Sequence, residues 1–172
     1  MELYRLKGIF LCILAVGAMV ISCVSPMPPE TPPSSGHGLI EQLTLDELTA
    51  RADSIVVGEV TDIACHEENK GNIYTLITLS VEQTVKGKSE GEVMIKVPGG
   101  EVGGNRLIVE DTPSFQLGER VMVFLKKGED DKFSVVGGFQ GKFSIDENNM
   151  VGDAPLDQFI DQVRVIIEGE AK

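Results

Sequence analysis

No stretch of this chain narrows its architecture as much as IYTLITLSVEQTVKGK, residues 73–88. Its odd positions, Ile73, Thr75, Ile77, Leu79, Val81, Gln83 and Val85, are apolar apart from Thr75 and Gln83. The even positions turn polar along the run, from Tyr74 and Leu76 to Glu82 and Thr84. Period-two alternation in β-branched and aromatic residues predicts a long strand with one buried face. It ends at Gly87, where a turn forms easily. The upstream run ADSIVVGEVTDI (52–63) is the expected partner strand, with Gly58 as a bulge or bend.

The remaining elements follow from local signals. LTLDELTARA (43–52) opens with a capping box, Thr44 and Glu47 three residues apart, and predicts a short helix carrying Leu45, Leu48 and Ala52 on one face. EVMIKV (92–97) alternates Val93, Ile95 and Val97 inward. A glycine-rich loop, PGGEVGGN (98–105), leads to a short strand expected at 107–110. RVMVFLK (120–126) is apolar at both parities, as a central or covered strand would be. Strands at 133–136 and 142–145 are expected to form a final pair around Gly137, Gly138 and Gly141. A C-terminal amphipathic helix over 155–168 places Leu156, Phe159, Ile160, Val163, Ile166 and Ile167 on one stripe, with Asp153 as its cap and Pro155 in its first turn. Many short strands, glycines at bends and two flanking helices predict an all-β fold closed or partly closed into a small barrel, with a sandwich as the alternative.

Residues 1–22 have the layout of a secretory signal. Arg5 and Lys7 form a basic start, and residues 9–21 an apolar core short of the roughly 20 residues that span a bilayer. The segment ends in Val20-Ile21-Ser22-Cys23, which resembles the bacterial lipobox, so lipidation is expected at Cys23. Residues 23–38 hold five of the chain's eight prolines and read as a semi-rigid tether. Residues 39–172 then form one domain, a monomer held to the cell envelope on its extracytoplasmic side. With Cys12 removed and Cys23 acylated, Cys65 is the remaining thiol, and the fold must stand without an internal disulfide. The net charge of −12 argues against nucleic acid, whose affinity comes largely from Lys and Arg displacing counterions. It argues equally against docking on anionic lipid through charge.

The runs ADSIVVGEV and IYTLITLSVEQTVKGK resemble the opening of netrin-like and tissue-inhibitor-of-metalloproteinase-like domains. The matching positions are Ala52, Asp53, Val56, Val57, Gly58, Val60, Tyr74, Val81, Lys86 and Gly87. A group of uncharacterised bacterial secreted proteins is similar through the Pro-Gly-Gly loop and a Pro-x-Phe-x-x-Gly-Glu-Arg element, here Pro113, Phe115, Gly118, Glu119 and Arg120. The resemblance implies an OB-like β-barrel. It does not carry inhibition over, because that family chelates the protease zinc through a free, disulfide-anchored N-terminal cysteine. Here Cys23 lies far upstream of the barrel and the disulfide cysteines are missing.

Candidate chemistry is sparse. Cys65-His66-Glu67-Glu68 is the densest set of metal-ligand types, and Cys65 and His66 are its candidate ligands. Adjacent residues on extended backbone point to opposite faces, and His37, the other histidine, sits in the tether, so a solvated loop without a metal is expected there. A Cys–His nucleophile lacks an orienting partner. GGFQGK (137–142) lacks both the spacing and the Ser/Thr of a phosphate loop. No cofactor is expected. Pro98, Gly99, Gly100, Gly103 and Gly104, with Phe115 and Arg120 from the second motif, are the candidate partner-binding residues, on the expectation that glycine lets a partner's backbone approach closely. The chain therefore reads as a non-enzymatic module for a protein or glycan partner. The alternatives are an envelope hydrolase working through an Asp/Glu pair and, by resemblance, a protease inhibitor.

Overall fold

Thr44 caps the first described helix. Its hydroxyl accepts from the Glu47 amide while the Glu47 carboxylate accepts from the Thr44 amide, and this reciprocal cap begins helix α1 (Leu45–Arg51). The structure, a computed structural model, describes residues 42–69, 71–128 and 131–170. The expected signal, the tether and Cys23 lie outside the described residues.

Two long strands follow, β1 (Ser54–Asn69) and β2 (Asn72–Lys86), paired antiparallel along their whole length. β2 pairs in turn with β3 (Glu92–Pro98). A small hairpin, β4 (Gly100–Val102) with β5 (Asn105–Leu107), interrupts the path to β6 (Arg120–Lys127). Then come β7 (Phe133–Val135), a 3-10 turn at Gly138–Gly141, β8 (Lys142–Ser144), the short hairpin of β9 (Met150–Val151) and β10 (Ala154–Pro155), and helix α2 (Leu156–Glu170). The fold is all-β with two flanking helices. In the main sheet the order is β1-β2-β3-β7-β6-β8, β3 and β7 run parallel, and β6 also pairs with β1.

Four sequence expectations change. Residues 65–68, expected in a loop, belong to β1, which runs beyond 64 because β2 supplies partners as far as Glu67↔Ile73 and Asn69↔Asn72. The strand expected at 107–110 stops at Leu107; its partner is β4, so most of the glycine-rich loop is itself hairpin. β7 and β8 do not pair with each other. Both lie on β6, at Leu125–Lys127 and Val121–Val123, and the 3-10 turn separates them along its length. Asp153 sits in the turn between β9 and β10 rather than capping α2, which starts directly after Pro155.

Two apolar cores result, one on each face of β6. Val121, Val123 and Leu125 point inward with Val56, Val60, Ile77, Leu79, Val93 and Ile95. Met122 and Phe124 point outward, beneath Leu48 of α1 and Leu156, Ile160 and Val163 of α2. This is why RVMVFLK is apolar at both parities. Burying both faces of β6 supplies the apolar burial that stabilises the sheet, and Cys65 is a free thiol.

The pairing of β1 slips where its backbone must bend. Gly58 is opposite Val81 after a register shift, and a Cβ there would stand 2.2 Å from the Ser80 carbonyl oxygen, so only glycine fits. At Thr61 β1 carries one unpaired residue, since Val60 faces Leu79 and Asp62 faces Thr78. That residue inverts the parity, so Ile63 joins the inner core with Val60. The motif Ala52-Asp53 meets Lys86-Gly87 at the base of β1. Asp53 accepts from Lys126 Nζ and the Lys127 amide, each at 2.9 Å, and Lys86 Nζ donates to the Thr49 carbonyl at the end of α1. Gly87, at φ +85°, passes so close to the Asp53 carbonyl that a Cβ would lie 2.6 Å from it.

Candidate functional site

The parity inversion at Thr61 has a consequence one step along the strands. Ile63, Ile77 and Ile95 stand in register on the inner face, and the next rung is Cys65, Thr75 and Val97. This rung is the wall of an open cavity of about 350 Å³ lying directly beyond the inner core. Thr75 Oγ1 donates to the Gly99 carbonyl at 2.7 Å and lies 3.4 Å from Cys65 Sγ.

The four loop glycines divide into two pairs. Gly99 (φ +94°) and Gly100 (φ +138°) permit close approach: a Cβ on Gly100 would stand 2.7 Å from Thr75 Oγ1 and 2.9 Å from Cys65 Sγ. They lay the β4–β5 hairpin across the Cys65–Thr75 rung. Gly103 (φ +58°) and Gly104 (φ +84°) form the hairpin tip, where a two-residue turn needs positive φ at both positions and a Cβ would meet nothing. Pro98, Gly99 and Gly100 line the cavity, and Gly103 and Gly104 do not.

The second motif supplies the opposite wall and its buttress. Pro113 is buried, and half-buried Phe115 packs against the inner core while lining the cavity. A turn at Gly118 (φ +76°) returns the chain to β1, with the Gly118 amide donating to Val60 O and the Val60 amide to Glu119 O. Glu119 then accepts from Lys142 Nζ and Ser144 Oγ, each at 2.6 Å, and from the Gln116 amide at 3.0 Å. Burial opposes its ionisation, yet these three donors hold its pKa below the ordinary glutamate value. Lys142 also sits 5.0 Å from the centre of the Phe115 ring.

Arg120 is elsewhere. Its guanidinium forks onto Glu82, Nη2 to Oε2 at 2.7 Å and Nε to Oε1 at 3.0 Å, and donates to Asn149 Oδ1. The hydrogen bonds from Arg120 depress the pKa of Glu82, and Glu82 raises that of Arg120. Arg120 ties β2 and the residue 146–149 turn to β6 and does not reach the cavity.

Cys65 and His66 are separated by the strand pleat. The Cys65 thiol is exposed on the cavity wall, while His66 stacks on Tyr74 across the outer face, ring centres 5.5 Å apart. Lys96 Nζ lies 4.2 Å from the centre of the Tyr74 ring and 3.6 Å from Glu68. These residues border a second cleft of about 640 Å³, shared with Asn72, Lys132 and Phe133. No group of three metal-ligand side chains gathers among the described residues. A metal site filled at 100 times its Kd would add about 2.7 kcal/mol of stability. Zinc added to the purified protein is expected to give no such rise in Tm, and a Cys65→Ala/His66→Ala variant is expected to melt with the parent. A stoichiometric metal that survives dialysis would contradict this.

Pro98, Leu107 and Val109 line both cavities, so the two adjoin at the hairpin. Arg106, Leu107, Ile108 and Thr75 were not foreseen as site residues. For residues 106–108 the single signal is position beside the glycine-rich loop, and for Thr75 it is a polar side chain on the apolar face of its strand. No family model matches the chain. No curated protein matches it either.

Proposed function

We propose that this chain is a non-enzymatic binding module, lipid-anchored through Cys23 on the extracytoplasmic side of the cell envelope, monomeric, and built on a small OB-like barrel. The return of the pairings from β6 to β1, with β3 and β7 parallel, supports the barrel. The netrin-like reading takes its support from Gly87 packing on the Asp53 carbonyl where β1 and β2 join.

The observation that carries the binding reading is the recess itself. Two sequence-distant motifs, residues 98–100 and 113–115, converge on one cavity whose floor is the inner core. A hydrolase with paired carboxylates fits this recess less well. Among the described residues lining the two cavities Glu68 is the one carboxylate, and Lys96 is beside it at 3.6 Å.

The test uses the full chain in its native envelope. A photo-crosslinker at Ile108 is expected to capture a protein or glycan from the parent and not from Ser114→Trp, where the indole occupies the cavity. Equal capture by both would end the binding reading. Cys23→Ala is expected to move the chain out of the membrane fraction, and unchanged fractionation would remove the anchor.

A further inference from the structure

The walls of the 350 Å³ cavity are unequal in character. Ile63, Ile77, Val97 and Phe115 make an apolar floor continuous with the inner core. At the rim stand Ile108, 73% exposed, and Val109, 38% exposed, two aliphatic side chains facing solvent beside a cavity. Burying such surface is favourable at about 25 cal/mol per Å². Among the described residues no Asp or Glu lines the cavity, in a chain of net charge −12.

Arg106 is the charge at this rim. It is exposed on β5 and opposite Glu101 in the hairpin register, with no ion pair to it. Arg120 and Arg164 are held by Glu82 and Asp161. The polar groups deeper in the wall are already satisfied, Thr75 by the Gly99 carbonyl. An inorganic anion would leave the apolar floor unused, and a neutral apolar molecule would leave the guanidinium unused.

Building on the binding-module reading, we propose that this cavity takes a small anionic amphiphile, with its apolar tail over Ile63, Ile77 and Phe115 and its head on Arg106. The head is a carboxylate or a phosphate monoester, either of which accepts two parallel hydrogen bonds from a guanidinium. The hairpin held by Gly99 and Gly100 places Arg106 and Ile108 on one rim, so a single molecule meets both.

Cys65 provides the readout, because its exposed thiol lines the same cavity. The full chain is placed in nanodiscs of zwitterionic lipid, and alkylation of Cys65 by a maleimide is followed by peptide mass mapping. Decanoate, decyl phosphate and decanol are the probes. At least one of the two anions is expected to protect Cys65 at concentrations about tenfold below those at which decanol does, a difference of about 1.4 kcal/mol. Whichever anion protects better identifies the head group. Arg106→Gln is expected to erase the advantage of the anion while leaving decanol unchanged, and Ser114→Trp to abolish protection by all three. Equal protection by decanol and both anions, or an undiminished anion advantage in Arg106→Gln, overturns the inference and leaves the binding module standing. Absence of protection by any probe also overturns it, and the module reading falls with it only if the Ile108 crosslink is equally unselective.

Discussion

Replacing Phe124 by alanine is expected to destabilise the domain by about 3–5 kcal/mol, on the order of 10 °C or more in Tm. Phe124 is fully buried on the outer face of β6, where Ile55 and Val57 of β1 meet the two helices. Its ring lies 5.6 Å from that of Phe143, which is itself 5.0 Å from Phe159 of α2. Alanine removes the first member of this chain of rings and opens a cavity between sheet and helix that neither can collapse to fill. The same substitution at Phe139, 49% exposed, is expected to cost under about 1 kcal/mol. Comparable losses at the two sites in chemical denaturation would mean that the helices do not pack on β6 as described.

Glu119→Gln carries the second large effect, and its sign depends on pH. Glu119 and Lys142 retain only 18% and 11% of their side-chain exposure, so the pair is the most buried ion pair among those described. Removing the carboxylate leaves the Lys142 ammonium without its counter-charge, at a cost of about 3 kcal/mol near neutral pH, the low end for a buried pair because some water remains. The pKa of Glu119 is lower in the folded state than its ordinary value of 4.5. A depressed folded pKa means that the ionised form contributes stability above about pH 4.5, and that this is lost as pH falls through the folded value. The parent and Glu119→Gln are therefore expected to differ most above pH 5 and to converge on acidification. A difference that stays constant from pH 7 to pH 3, or one below about 1 kcal/mol at neutrality, would contradict the pairing. Glu119 and Arg120 entered the sequence reading within one motif, and the structure gives both to the frame. Pro113 and Phe115 are the members of that motif which line the cavity.

Much of the frame could be read from residues that act locally. Thr44 and Glu47 specify a helix start through their own two hydrogen bonds, and the strand at 73–85 follows from side chains that alternate across a pleat. Val121 to Leu125 announced burial on both faces because apolar residues at both parities suit no half-solvated strand. Two glycine roles were also visible as turns, at Gly87 and at Gly103-Gly104.

The site was less legible, and the reason is parity. A period-two pattern assigns faces only while the register holds, and a single unpaired residue exchanges them. Thr61 is an ordinary β-branched strand residue with nothing in its chemistry to mark it as the extra one. The register of β1 against β2 places the extra residue there, and beyond it Cys65, expected in a loop, stands in the strand on the cavity wall. Arg106 and Ile108 were hidden for a different reason: their significance lies in facing residues 63–77 and 113–115, contacts that span tens of positions and leave no periodic trace. Local pattern thus decided which segments are strands and helices, since that choice rests on each residue's own backbone and its near neighbours. Long-range packing decided which faces look inward and what meets at the mouth of the inner core, since a bulge and a crossing hairpin are settled by the whole sheet at once.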